Sequence, residues 1–216
     1  MEFNYARDVL KFLIKKYNIE EIFIPYYLCD VIRHAVIEVG AKPIFYHVDD
    51  NFMPVIKFPK NAYILYPNYF GICEKNVKKL TQIYPRLIVD NAHAYYAKPM
   101  GFASFNSKRK FLPVEKGATL WIGKGQNRVK KDYKRREKFF DYHKKLIDNL
   151  LKIELEEAEI PFCYPYLAKT EELADKLVEK LTEQGLTIYR YWNRLPKTYN
   201  EYKFFSRLVP IPLRWI

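Results

Sequence analysis

Three short stretches bring together side chains whose types could do chemistry in concert. Asp90, Asn91, Ala92 and His93 follow an apolar run at 87–89, Lys108, Arg109 and Lys110 stand in a row after Ser104 and Ser107, and Pro25, Tyr26 and Tyr27 follow another apolar run at 22–24. A carboxylate directly after an apolar run is costly to bury unless it meets a cation, such as a protonated ring nitrogen. It also suits a helix N-cap. The basic triplet is surrounded by Phe102, Phe105, Phe111, Leu112 and Val114. At least one of its lysines is therefore expected against apolar walls, where desolvation lowers the amine's pKa and favours Schiff-base chemistry. Ser104 or Ser107 could offer a hydroxyl to a phosphate. Each residue also has a plain structural role open to it: Tyr27 in a core, Ser104 as a strand hydroxyl, His93 as a buried imidazole, and 101–118 as a flexible basic loop.

The elements that must position these groups follow from periodicity. Short β-prone runs at 22–24, 44–46, 63–66, 87–89 and 119–122 alternate with helical spacing at 6–17, 30–39 and 74–84. This rhythm predicts an α/β fold with a mainly parallel sheet and helices on both faces. Ligands of such sheets bind beyond the carboxyl ends of the strands, where the stretches at 25–27 and 90–93 lie, together with Pro67, Asn68 and Tyr69 after the run at 63–66. Farther on, Val129, Tyr133, Phe139 or Phe140, Leu146 and Leu150 approach helical spacing and predict one amphipathic helix. Pro161 and Pro165 interrupt the chain before a helix at 171–184, a strand at 187–191 and a Pro-rich tail. The expected organisation is an α/β unit at 1–123, a basic connecting helix within 124–158, and a small α+β unit at 159–216.

Composition limits the classes available. The 216 residues are 49% hydrophobic and 17% aromatic with 7 Gly, which excludes collagen-like, low-complexity and disordered chains. The net charge is +12, and eleven basic against four acidic residues put +7 of it between Lys124 and Lys152. Most of that charge is expected on the solvated face of the connecting helix, and the surplus suits a phosphate-bearing small molecule. Nucleic-acid binding through this helix is a weaker alternative, because no recognition motif accompanies the charge. Cys29, Cys73 and Cys163 fall in no metal or redox spacing, so free buried thiols are expected and no metal site. Apolar runs far below the roughly 20 residues of a spanning helix, and a polar opening, predict a cytoplasmic protein without membrane contact.

Five motifs in order resemble the DegT/DnrJ/EryC1/StrS family of sugar aminotransferases, which are fold type I pyridoxal phosphate enzymes. They are ARDVL at 6–10, IPYYLC at 24–29, GAKPIFYHVD at 40–49, DNAHA at 90–94 and SFNSKRKFLPVEKGA at 104–118. YPYLAK, YRYWNRLPK and a closing PIPL look like that family's small domain. The resemblance implies an aspartate-aminotransferase-like fold and pyridoxal 5'-phosphate as cofactor. It also implies transfer of an amino group from an amino-acid donor to a nucleotide-linked keto sugar, in amino-sugar or surface-polysaccharide biosynthesis, by a homodimer.

Carried over by residue, Lys110 becomes the catalytic lysine that binds the cofactor, since its distance to Gly117 matches the family's lysine-to-glycine spacing; Lys108 is the runner-up. Asp90 takes the ring nitrogen, His93 the 3-hydroxyl, and Tyr27 the ring face. Ser104 takes the phosphate, together with the start of the first helix at Ala6 and Arg7, and Asn127 is a remnant of a loop that reaches the partner subunit. The chain departs from the family in having Ala6 for Gly, one extra residue between Ser104 and Lys110, a short interval from Asp90 to Lys110, and a much reduced stretch between Ile122 and Pro161. The alternative is a homologue that keeps the cofactor without turnover.

Overall fold

The computed structural model describes residues 1–213. Strand β1 (Glu2–Phe3) leads into α1 (Ala6–Lys16), β2 (Glu21–Pro25), α2 (Asp30–Glu38) and β3 (Lys42–Tyr46). These are followed by β4 (Tyr63–Pro67), α3 (Glu74–Ile83), β5 (Leu87–Asn91), β6 (Ala103–Asn106) and β7 (Ala118–Ile122). The seven strands form one sheet in the order β1-β7-β6-β5-β4-β2-β3. Pairing is parallel from β3 across to β6, and antiparallel where β7 meets β6 and β1. The expected mainly parallel sheet is the one found.

Its central strands are buried on both faces, which is why they read as continuous apolar runs rather than alternating ones. Leu65 and Ile88 face Val9, Leu10 and Leu13 of α1 and Ile32 and Val36 of α2. The spacing of those α1 residues is helical, and the Asp8 carboxylate accepts the Tyr5 backbone N–H (3.1 Å), tying down the start of the helix. On the opposite face Tyr66, Leu87 and Val89 meet Val77 and Leu80 of α3. Helices thus cover both faces as expected, and beside α3 aromatic side chains from loops and a 3-10 turn, including Phe52, Phe58 and Tyr69, complete the cover.

The rest of the chain comprises α4 (Tyr133–Lys145), β8 (Cys163–Leu167), α5 (Glu171–Glu183), α6 (Tyr202–Ser206) and β9 (Leu208–Pro212), with β8 and β9 paired antiparallel. Phe139 of α4 and Ala174 and Leu181 of α5 pack on Tyr164, Val209 and Ile211 of this ribbon. The basic helix is shorter than its sequence pattern. Phe139 is buried, but Tyr133, Phe140 and Leu150 are exposed, because Arg135 takes the inward position and lies over the Phe111 ring (5.1 Å).

Residues 187–191, expected as a strand, are irregular. Arg190 pairs with Asp175 of α5 (2.6 Å) and Tyr191 turns toward Phe70 and His93. Their β-type composition serves packing rather than a ladder, as β-propensity often does. Conversely, 103–106 was not among the predicted strands and is an internal strand, buried throughout and paired with β5 and β7.

Candidate active site

At the carboxyl ends of β4 and β5 a cavity of about 750 Å³, open mouth included, is bounded by Asn68, Asp90, His93, Ser107 and Lys110. Ala6 and Arg7, in the first turn of α1, close one side. The first amides of a helix have no partner within it, so this wall favours an anion.

Asp90 stands on β5 between Pro67 of β4 and Phe105 of β6. Its carboxylate accepts the Ala92 N–H at 2.8 Å and is 7% exposed. Burial raises its pKa, while the charge of Lys110 and the Ala92 amide oppose the rise. The turn after β4 clamps this strand end: the Asn68 N–H donates to the Asp90 carbonyl (2.9 Å), and its side-chain amide donates to Asn91 Oδ1 (3.3 Å). Gly71 makes the clamp possible. Its φ is +69°, and a Cβ there would lie 2.4 Å from the His93 carbonyl oxygen.

The His93 imidazole is 4% exposed, and its Nε2 has no hydrogen-bond partner among the described residues. Burial, then the charge of Lys110, holds its pKa well below the usual imidazole value, so the ring is neutral. Phe162 lies nearly parallel to it (centroids 4.5 Å apart, 12° between planes), as does Trp192 (5.7 Å, 9°).

Lys110 ends the short 3-10 turn 108–110 that follows β6. Burial lowers its pKa, with Asp90 acting in the opposite sense. The alternative, Lys108, is directed elsewhere: its ammonium pairs with Glu2 on β1. Geometry therefore separates two lysines that spacing alone left in competition.

Of the residues singled out from sequence, Asp90, His93, Lys110, Ala6 and Arg7 share this cavity. Three others do not line it. Tyr27 is fully buried, stacked on Tyr69 (5.7 Å), with its hydroxyl donating to the Phe204 carbonyl, so neither ring face is open. Ser104 points into the core from β6 at 0% exposure; Ser107, after the strand, holds the place on the wall. Asn127 donates to the carbonyls of Tyr95 and Ala97 (2.6 and 3.2 Å) and borders a different hollow.

Sequence reasoning missed Trp192 and Cys29, both on the cavity wall. Trp192 adopts φ +59°, rare for a bulky side chain, and also borders a second hollow with Tyr26, Arg33, Phe45, Arg194 and Tyr199. A tryptophan in a loop of mixed polarity gives no periodic signal. Cys29 is partly exposed, unlike Cys73 and Cys163. Among the described residues there is no cluster of three metal-ligating side chains, and no helix is long and apolar enough to cross a membrane.

The chain matches no protein-family model and no curated protein. Solved structures resemble it along almost its whole length. The crystal structure of a DegT DnrJ EryC1 StrS aminotransferase from Brucella abortus is 15% identical, with TM-score 0.73 over 98% of this chain and 80% of that one. Helicobacter pylori PseC, an aminotransferase involved in pseudoaminic acid biosynthesis, is 17% identical, with TM-score 0.70 over 98% and 80%. NtdA from Bacillus subtilis, with bound cofactor PMP, is 14% identical, with TM-score 0.71 over 98% and 68%. At such identities the likeness establishes the fold, which is the aminotransferase architecture that the five motifs led one to expect.

Proposed function

We propose that this chain is a pyridoxal-phosphate-dependent aminotransferase acting on a keto sugar. One observation carries the reading: Asp90, His93 and Lys110 come from two separate stretches to one cavity at the strand ends, and His93 offers that cavity a buried, unsatisfied ring nitrogen. The donor set fits the cofactor group by group. The α1 amides, Arg7 and Ser107 suit its phosphate, His93 Nε2 its ring hydroxyl, Asp90 a protonated ring nitrogen, and Lys110 Nζ its aldehyde carbon.

The cofactor, when bound, supplies an electron sink for the carbon that loses or gains the amino group. The protein's own contribution is positional and electrostatic. Asp90, already short of water, would keep a proton on the ring nitrogen. Lys110 Nζ, with its lowered pKa, would hold the aldehyde carbon and, as a free amine, would carry the proton to and from the substrate carbon. Leu28, Ile32 and Trp192 on the cavity wall exclude water.

The finer substrate reading is a nucleotide-linked keto sugar with glutamate or a similar amino donor, in amino-sugar or surface-polysaccharide biosynthesis. The hollow across Trp192 supports it. Tyr26 stacks on Phe45 (5.0 Å, 17°) and meets the edge of Tyr199, while Arg194 and Arg33 lie 3.0 and 3.6 Å from one carboxylate, Asp30. Planar rings beside surplus guanidinium suit a base and its phosphates. The role of PseC in its own organism fits the same class. A homodimer belongs to the proposal as well, because Val31 at the cavity and Ile37 on α2 are 43% and 54% exposed. Light scattering on the cofactor-loaded protein should give twice the chain mass, and a monomer would remove the dimer from the proposal.

The test of the cofactor assignment is a spectral titration with pyridoxal phosphate followed by borohydride reduction and peptide mapping. A reduced adduct on Lys110 is expected. An adduct on Lys108, or none, would refute it. Glutamate should then convert the visible band to that of the amino form of the cofactor; an unresponsive band with the adduct in place would leave cofactor binding without transfer.

A further inference from the structure

Cys73 and Cys163 are sealed in the core at 4% and 2% exposure, whereas Cys29 is partly open to solvent. Cys29 stands at the N-cap of the nine-residue helix α2 and forms part of the wall of the cavity shared by Asp90, His93 and Lys110. A cysteine at a helix start says little by itself. The second observation is His93, 4% exposed on the same wall with Nε2 unpartnered, which marks the cavity as built for a ligand. A group attached to the Cys29 sulfur must therefore share space with that ligand. The thiol also lies near enough to Lys110 to act on its charge. Arg7, Arg109 and Lys110 on the wall outnumber Asp90, so the cavity draws anions.

We propose that Cys29 is a covalent modification site, and that a small anionic carbon electrophile bound to its sulfur closes the cavity to its phosphate-bearing ligand. The reaction is a displacement. The sulfur forms a bond to the electrophilic carbon, the bond from that carbon to its leaving group breaks, the leaving group departs with the electron pair, and the thiol proton passes to solvent. The ligand's identity as pyridoxal phosphate rests on the reading above; the closure itself does not.

Iodoacetate on the full chain, followed by peptide mapping, provides the test. Carboxymethylation should fall on Cys29 and spare Cys73 and Cys163. Pyridoxal phosphate at about ten times its dissociation constant should slow it about tenfold by mass action. Carboxymethylated protein should lose the borohydride-trapped adduct on Lys110. C29S should keep that adduct after the same treatment, serine being well suited to an N-cap. Labelling of Cys73 or Cys163 instead, an unprotected Cys29, or an undiminished Lys110 adduct on labelled protein would overturn the proposal. Should untreated protein form no adduct at all, the cofactor reading fails, and acetylation of Lys110 by acetic anhydride decides the closure. Suppression by carboxymethylation supports it, and an unchanged rate refutes it.

Discussion

Two buried carboxylates show what distinguishes an active cavity from a structural joint. Asp90, at the end of β5, and Glu159, beside the start of α3, are 7% and 3% exposed, and burial raises the pKa of both. Glu159 spends both oxygens on backbone: one accepts the Glu74 N–H (2.7 Å), the other the Glu156 N–H (3.0 Å). It closes a helix start. Asp90 accepts one backbone N–H, from Ala92, and lines a cavity that also holds Lys110 and an unsatisfied imidazole. Burial and a raised pKa are thus shared by a cap and a candidate cofactor-binding carboxylate. What separates them is where the remaining hydrogen-bonding capacity points.

The comparison can be broken most sharply at the cavity. K110A should abolish the borohydride-trapped adduct and lower amino-group transfer by at least about three orders of magnitude, the upper range for removing a positioned proton carrier. Retained transfer would place the chemistry elsewhere. D90N should leave cofactor binding measurable while turnover falls about 100-fold or more, in the range for losing an electrostatic stabiliser. Its negative charge also favours the ammonium of Lys110, so D90N should shift that amine's pKa further down. Acetylation of Lys110 as a function of pH would show this, and an unmoved profile would separate the two groups.

At the joint, the expectation concerns stability. The folded-state pKa of Glu159 is pushed up to about 7 from 4.5. The folded state then holds a proton that the unfolded state has released, so this group's contribution falls as pH rises from about 4.5 through 7, by on the order of 3 kcal/mol in all. E159Q should flatten that slope, measured by urea unfolding at pH 5 and pH 8, at the expense of about 1–3 kcal/mol, because the amide nitrogen cannot accept the backbone N–H that the lost oxygen held. Identical slopes in both proteins would show that the carboxylate ionises without penalty. The smallest effect is expected for W192A. Loss of an aromatic wall contact worth about 1 kcal/mol should weaken cofactor binding about fivefold, and the variant should lose most of the tryptophan quenching that accompanies cofactor titration. Unchanged quenching would mean that Trp192 does not face the cofactor.

Much of the fold was legible along the chain because its central strands and covering helices have strong, different periods. The run 87–89 and the helical spacing of Val9, Leu10, Leu13 and Ile14 needed no tertiary knowledge. Residues 103–106 were missed as a strand and 187–191 taken for one, because a strand is defined by its neighbours. The first segment pairs on both sides despite ending at a basic turn, and the second has β-type residues with no strand beside it.

The site divides in the same way. Asp90 and His93 stood out from sequence because they follow a strand end that local pattern reveals, and the lysine cluster because three basic residues stand in a row among apolar ones. Which lysine enters the cavity, and which of Ser104 and Ser107 reaches it, were decided only by the fold. Adjacent strand residues point to opposite faces, and a 3-10 turn rotates Lys108 toward Glu2 while Lys110 turns inward. Tyr27 lost its expected place for the same reason: Phe204 and Tyr69, distant in sequence, close over it. Trp192, from the far end of the chain, reached the cavity without any local signal. Sequence determined the kinds of chemistry available to this protein, because side-chain type and period are local properties. The tertiary structure alone decided which copies of those groups share one cavity, because convergence depends on contacts between segments up to about 190 residues apart.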